Sequence, residues 1–198
     1  MTELPGKAGW RAWLLARRRA LGADERAAAA GAVAAHVLPR VANAERVAAY
    51  VPAGPEPGSL DLLDRLRTLG IVVLLPVVGV GGELDWAAYE GRDGLAAGPF
   101  GLREPSGRRL GSDAVSVVDV VLAPALAADH AGTRLGRGGG YYDRALVRVR
   151  AGVPVVALLH DGELVPRLPA DPWDRTITTA VTPASGWTEL PLVAHHGH

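Results

Sequence analysis

SVVDVVL, residues 116–122, is apolar on both of its faces apart from its first residue and Asp119. A strand with one face in water alternates apolar and polar residues, whereas a nearly continuous apolar run marks a strand covered on both sides. IVVLLPVV (71–78), VPVVALL (153–159) and RVAAYV (46–51) read the same way. Helical stretches lie between and before them. Lys7 to Leu21 sets Trp10, Trp13, Leu14 and Leu21 at helical spacings, and Gly22 stops it. Asp24 is the expected cap of an alanine-rich helix that ends near Leu38, before Pro39. Ser59 caps LDLLDRLRTL, which Gly70 closes, and Tyr141 to Arg150 opens a further helix. Gly79, Gly81 and Gly82 predict a turn into ELDWAAY (83–89) as an antiparallel excursion. Strands alternating with helices predict an α/β fold, a mainly parallel sheet flanked by helices in one layered domain spanning 1–198.

In such a sheet, ligands bind beyond the carboxyl ends of the strands. RLGRGGGYYDRAL, residues 134–146, follows the 116–122 strand and runs into a predicted helix. A glycine turn feeding a helix presents backbone N–H groups suited to phosphate. Arg134 and Arg137 add positive charge, and Asp143 is placed to hold a magnesium ion carried by that phosphate. The pattern is neither the Walker A loop nor GxGxxG. Read alone, it fits a flexible turn with solvated arginines equally well.

Composition narrows the partners. The 198 residues are 48% hydrophobic and 21% charged, ordinary for a globular chain. Lysine plus arginine equals aspartate plus glutamate at 21 each, so there is no global field for nucleic acid and any anion site is local. The absence of cysteine excludes disulfides, thiolate catalysis and cysteine-type zinc sites. The apolar runs are too short to span a bilayer, and the N-terminus lacks the apolar core of a signal peptide. The expectation is a soluble, cytoplasmic monomer that acts on small molecules, with no membrane or nucleic-acid partner. His195, His196 and His198 are expected to be a disordered end rather than a metal cluster.

Five blocks, in order, resemble the 5-formyltetrahydrofolate cyclo-ligase family, also called methenyltetrahydrofolate synthetases. They are the Lys7-x-x-x-Arg11 pair, YVPAGPE (50–56), LPVV (75–78) with GPFGLREP (98–105), VVDVVLAPALAADHAGT (117–133) leading into RLGRGGGYYDRAL, and LPADPWDRTITTAVT (168–182). The likeness covers nearly the whole chain. It implies a Rossmann-like fold of the NagB/RpiA/CoA-transferase kind. It also implies ATP-dependent closure of 5-formyltetrahydrofolate to 5,10-methenyltetrahydrofolate, with ADP and phosphate released.

By that resemblance, Lys7 and Arg11 reach the ATP phosphates. Arg134, Leu135, Gly136, Arg137, Gly138, Gly139, Gly140, Tyr141 and Tyr142 wrap the triphosphate, and Asp143 and Asp174 hold Mg2+ directly or through water. Arg134 and Tyr141 carry the catalytic roles, Tyr141 lining the formyl pocket. Val51 and Glu56 meet the folate, and Trp86 stacks on its pterin. Without the likeness, Lys7 and Arg11 read as a solvated helix face and Glu56 as an exposed loop carboxylate. Three positions depart from the family pattern: Ala128 in place of phenylalanine, Glu163 in place of glutamine, and Thr178 in place of an acidic residue. Two other functions compete: a non-catalytic homologue that binds nucleotide or folate for regulation, and an RNA-binding protein using the Arg/Gly/Tyr loop.

Overall fold

The computed structural model describes residues 6–192, so the three tail histidines lie outside the described residues. Its helices are α1 (Gly6–Ala20), α2 (Ala23–Val41), α3 (Leu60–Thr68) and α4 (Tyr141–Leu146). Its strands are β1 (Arg46–Ala48), β2 (Val72–Val78), β3 (Leu84–Ala88), β4 (Leu95–Ala97), β5 (Arg103–Pro105), β6 (Val120–Pro124), β7 (Ala127–Asp129), β8 (Arg134–Leu135), β9 (Val155–Leu158), β10 (Leu164–Val165), β11 (Thr179–Thr182) and β12 (Gly186–Glu189).

Seven of these strands form the central sheet in the order β12-β11-β9-β6-β1-β2-β3. The inner five are mutually parallel, with Val47 opposite both Val73 and Val120, and only the edges β3 and β12 run antiparallel. Both faces are covered, as the apolar runs require. Val47, Val73, Leu75, Val120, Leu122, Val156, Leu158 and Val181 pack on one side against Val33 and Val37 of α2 and Leu63 and Leu66 of α3. Their neighbours Ala48, Leu74, Val121, Ala123, Val155, Ala157 and Ala180 face the other way, against Val115, Val118 and α4. Alternate side chains of one strand point to opposite faces, so most central residues are buried by one layer or the other, while Arg46 and Val72 at the strand starts are exposed.

α1 does not join either layer. Trp10 and Leu14 pack on Leu126, Ala127, Leu135 and Val165 of a small sheet ordered β10-β7-β8. That placement swings α1 over the carboxyl ends of the central strands.

Several local expectations need correction. Gly22, not Asp24, is the N-cap of α2, and its N–H donates to Glu25 Oε2 at 2.7 Å. Helix α2 also runs through Pro39 to Val41, whereas the sequence placed its end near Leu38. Ser116 and Val117 belong to a 3-10 turn, so the deciding strand starts at Val120. Helix α4 stops at Leu146 rather than Arg150, and α3 begins where expected, with Ser59 Oγ accepting from Leu62 N at 3.1 Å. Ala128 is fully buried in the second core layer. Thr178 Oγ1 accepts from Val155 N at 3.0 Å. No helix among the described residues is long and apolar enough to cross a membrane.

Candidate active site

After β1 the chain moves to β2 on one side, and it later returns to place β6 on the other. This reversal opens a crevice at the carboxyl ends of β1 and β6, where open α/β sheets bind ligands. A cleft of about 1150 Å³ occupies that place. Pockets for drug-sized ligands measure roughly 300–1,000 Å³, so this cleft lies just above that range. Tyr50, Val51 and Glu56 line it from the end of β1, and Pro124, Ala125 and Leu126 from the end of β6. α1 contributes Lys7 and Arg11, the β8–α4 loop contributes Gly136 to Gly140, the first turn of α4 adds Tyr141 and Tyr142, and residues 171–175 close one wall.

The phosphate-type loop proper is Gly136–Gly140, because Arg134 and Leu135 are paired in β8. Gly138 (φ 105°) and Gly140 (φ 68°) hold backbone angles that L side chains avoid. Arg11 Nε donates to Gly136 O at 2.9 Å and lies along the loop. Helix α4 has six residues, so the anion-attracting capacity of the site rests on the loop amides and the cations around them.

Three of those cations, Lys7, Arg134 and Arg137, are held by carboxylates. Lys7 Nζ donates to Asp171 Oδ2 at 2.6 Å and to Asp174 Oδ2 at 2.5 Å. Partial burial disfavours the ammonium, but these hydrogen bonds outweigh it and hold the Lys7 pKa above its ordinary value. Burial also works against the Asp174 carboxylate, yet the Asp171 N–H and Lys7 together hold it below the usual range. Arg134 Nη2 donates to Asp143 Oδ1 at 2.8 Å and Nη1 to Pro124 O at 3.3 Å. Arg137 Nε donates to Glu56 Oε1 at 3.0 Å, and Glu56 Oε2 accepts from Ala53 N at 3.0 Å. Arg144 reaches Gly82 O and Gly139 O and stands 5.3 Å over the Tyr141 ring.

Among the described residues, two polar atoms in this wall have no partner. Arg134 Nε and Tyr142 Oη are both buried without a hydrogen bond, and both residues line the cleft. Burial raises the Tyr142 pKa, with Arg134 opposing, so the hydroxyl keeps its proton as a donor. Buried polar atoms are almost always satisfied, and an unsatisfied one beside a cleft suits a polar ligand.

The structure thus brings together Lys7, Arg11, Val51, Glu56, Arg134, Leu135, Gly136, Arg137, Gly138, Gly139, Gly140, Tyr141, Tyr142, Asp143 and Asp174 around one cleft. Trp86 is the exception and a correction. It is 1% exposed, packed in the second core layer on β3, and does not line the cleft, so no ring of a ligand stacks on it here. The large aromatic surface open at the cleft belongs instead to Phe100 (77% exposed) and Trp173 (71%). Sequence reasoning also passed over Asp171, three residues from Asp174 in the same block, and the ion pair of Arg18 with Glu163, which no local spacing signals. Among the described residues no group of three or more His, Asp or Glu side chains is arranged to hold a metal ion.

The profile of the 5-formyltetrahydrofolate cyclo-ligase family matches residues 4–183. The chain belongs to that family. It is 42% identical over 190 residues to the 5-formyltetrahydrofolate cyclo-ligase of Mycolicibacterium smegmatis, covering 93% of this chain and 97% of that one. The Escherichia coli K12 cyclo-ligase is 31% identical over 176 residues, covering 86% and 97%. The solved Aquifex aeolicus 5,10-methenyltetrahydrofolate synthetase superposes with a TM-score of 0.80 at 30% identity, over 97% of this chain and 98% of that one. A Mycoplasma pneumoniae synthetase shares the fold, with a TM-score of 0.71 at 21% identity over 88% and 96%. The switch-point crevice of this chain has α1 as its roof, which brings Lys7 and Arg11 to it.

Proposed function

We propose that this cyclo-ligase family member closes 5-formyltetrahydrofolate to 5,10-methenyltetrahydrofolate at the expense of ATP, through a phosphorylated formyl oxygen. The observation that supports this best is the convergence on one cleft of Lys7, Arg11, the Gly136–Gly140 loop and Arg134, whose buried Nε lacks a partner among the described residues.

The chemical difficulty is that a formamide oxygen is a poor leaving group. The formyl oxygen attacks the γ-phosphorus, the bond to the bridging oxygen breaks, and ADP leaves. N10 of the folate then forms a bond to the activated carbon, inorganic phosphate departs with the former formyl oxygen, and the N10 proton passes to solvent. Such transfers demand positioning and charge stabilisation more than covalent help from the protein. Lys7, Arg11 and Arg134 neutralise the phosphates, and Tyr141 stands by the formyl group. Val51 and Glu56 meet the pterin, whose amino-pyrimidine N–H groups suit a carboxylate acceptor. No dedicated general base is required.

Magnesium fits this site only as an ion that arrives with the nucleotide, since Mg2+ keeps several waters and takes one or two carboxylates besides phosphate oxygens. Asp143 and Asp174 are those carboxylates, each now paired with a cation that phosphate would draw away. When bound, the ion would neutralise charge on the β- and γ-phosphates.

The test is an absorbance assay for the methenyl product beside an ADP assay, on purified protein with 5-formyltetrahydrofolate, ATP and Mg2+. Product and ADP appearing one for one, and only with all components, is the expected result. ATP binding without turnover would instead indicate the regulatory homologue. Asp143→Asn is expected to cut turnover far more than stability. Normal turnover with unchanged magnesium dependence in that variant would sink the metal assignment.

A further inference from the structure

The loop that carries Glu56 has the sequence Pro55-Glu56-Pro57, and neither proline has an N–H to anchor it. The Glu56 N–H donates to Ala53 O at 3.2 Å, and the flanking prolines are held through their carbonyl groups. On one side of Glu56, His160 Nε2 lies 3.0 Å from Pro55 O. On the other, Tyr50 Oη donates to Pro57 O at 2.6 Å. Both side chains belong to buried residues, His160 at 7% and Tyr50 at 6% exposed. A carbonyl oxygen only accepts, so Nε2 of His160 carries the proton in this arrangement. Burial, reinforced by Glu56, raises the Tyr50 pKa well above its ordinary value, so its hydroxyl remains a donor.

His160 is itself fixed by a buried ion pair. Its backbone N–H donates to Glu163 Oε2 at 2.8 Å, and Glu163 N returns a bond to His160 O at 3.2 Å. The Glu163 carboxylate takes Arg18 Nε and Nη2 at 2.7 Å each, and Arg18 Nη2 also donates to Ala125 O at 2.7 Å. Arg18 lies three turns beyond Lys7 on α1. One buried network therefore joins the helix that carries Lys7 and Arg11, the end of β6, and the loop that presents Glu56.

We infer that Tyr50 and His160 are positioning residues for Glu56, clamping the carbonyls on either side of it, and that Arg18–Glu163 registers this clamp to α1. The inference rests on the reading that Glu56 meets the folate. An acceptor carboxylate recognises a fixed set of ligand N–H groups only if its backbone is fixed, and groups behind a first layer of ligands act through such geometry.

The experiment is steady-state kinetics on Tyr50→Phe, His160→Leu and His160→Gln, alone and combined with Glu56→Gln, with KM for folate and for ATP determined separately. His160→Leu and Tyr50→Phe are each expected to raise the folate KM about tenfold, the size of one lost hydrogen bond, with the ATP KM unchanged. His160→Gln keeps an amide N–H and is expected to recover most of the loss. In the Glu56→Gln background, His160→Leu is expected to add little, because its effect passes through Glu56. If Glu56→Gln leaves the folate KM unaltered, the underlying reading of Glu56 is wrong. If Glu56→Gln raises it but His160→Leu and Tyr50→Phe do not, or their effects add fully to it, the clamp is wrong. Equal rises in both KM values would mean a structural role only and would also overturn it. Should His160→Leu fail to fold, Tyr50→Phe decides, since it removes one oxygen from an otherwise unchanged ring.

Discussion

Replacing Glu163 by leucine removes the acceptor of three hydrogen bonds, from Arg18 Nε, Arg18 Nη2 and His160 N. The guanidinium left behind is 1% exposed, and its Nη1 already lacks a partner. Breaking a buried pair from one side costs about 3–5 kcal/mol, because the remaining charge stays out of water. For a chain of this size each kcal/mol moves Tm by roughly 2–4 °C, so the expected fall is about 6–20 °C. Glu163→Gln keeps an acceptor but withdraws the countercharge, and about half that fall is expected. The double variant Arg18→Leu with Glu163→Leu removes both charges and is expected to regain most of the loss, apart from the bonds to Ala125 O and from His160 N. Thermal and urea denaturation followed by circular dichroism reads all three. A single Glu163→Leu variant that loses less than about 1 kcal/mol would refute the argument, since no buried, uncompensated charge is that cheap.

Three further expectations concern the cleft. Leu14 is fully buried between α1 and the small sheet, so Leu14→Ala is expected to cost about 2–5 kcal/mol by urea midpoint. It should also weaken ATP binding, because α1 carries Lys7 and Arg11; an undiminished nucleotide affinity would count against α1 as the roof of the site. Gly138→Ala forces a side chain onto φ 105° with its Cβ 3.3 Å from the Arg11 guanidinium carbon. Strain of about 1–2 kcal/mol there is expected to lower urea stability by about that amount and, by displacing the loop, to raise the ATP KM roughly tenfold. The Lys7–Asp174 pair sets a pH window. The folded Asp174 pKa is depressed, so its contribution is present above 3.8 and lost as pH falls through the folded value. The folded Lys7 pKa is raised, so its contribution is complete below 10.5 and lost as pH rises through the folded value. The stability difference between the wild type and Lys7→Met should therefore be level between those limits and shrink on the acid side. A difference that stays constant down to about pH 2 would contradict the pairing.

What the amino-acid sequence determined by itself was local or repetitive. Apolar runs at 71–78 and 153–159 identified strands covered on both faces because a solvent-facing strand cannot be apolar throughout. Ser59 and Gly70 bounded α3 because caps satisfy backbone groups within one turn. The glycine loop by itself fitted a close approach of backbone to phosphate and an ordinary turn equally well, and five blocks in order carried the family likeness. The limits of that reading were also physical. Pro39 ends a helix by propensity, but it sits in the last turn of α2, where the packing of Val37 and Val41 prevails. Trp86 looked like a stacking surface by residue type, yet strand alternation turned it into the core. Only the tertiary structure decided that α1 leaves the central layers for the small sheet, and so that Lys7 meets Asp171 and Asp174 across more than 160 residues of chain. It alone united Arg18, Glu163 and His160 behind Glu56. A charge in the sequence carries no record of its partner, because burial makes the partner obligatory, and burial is a property of the assembled layers.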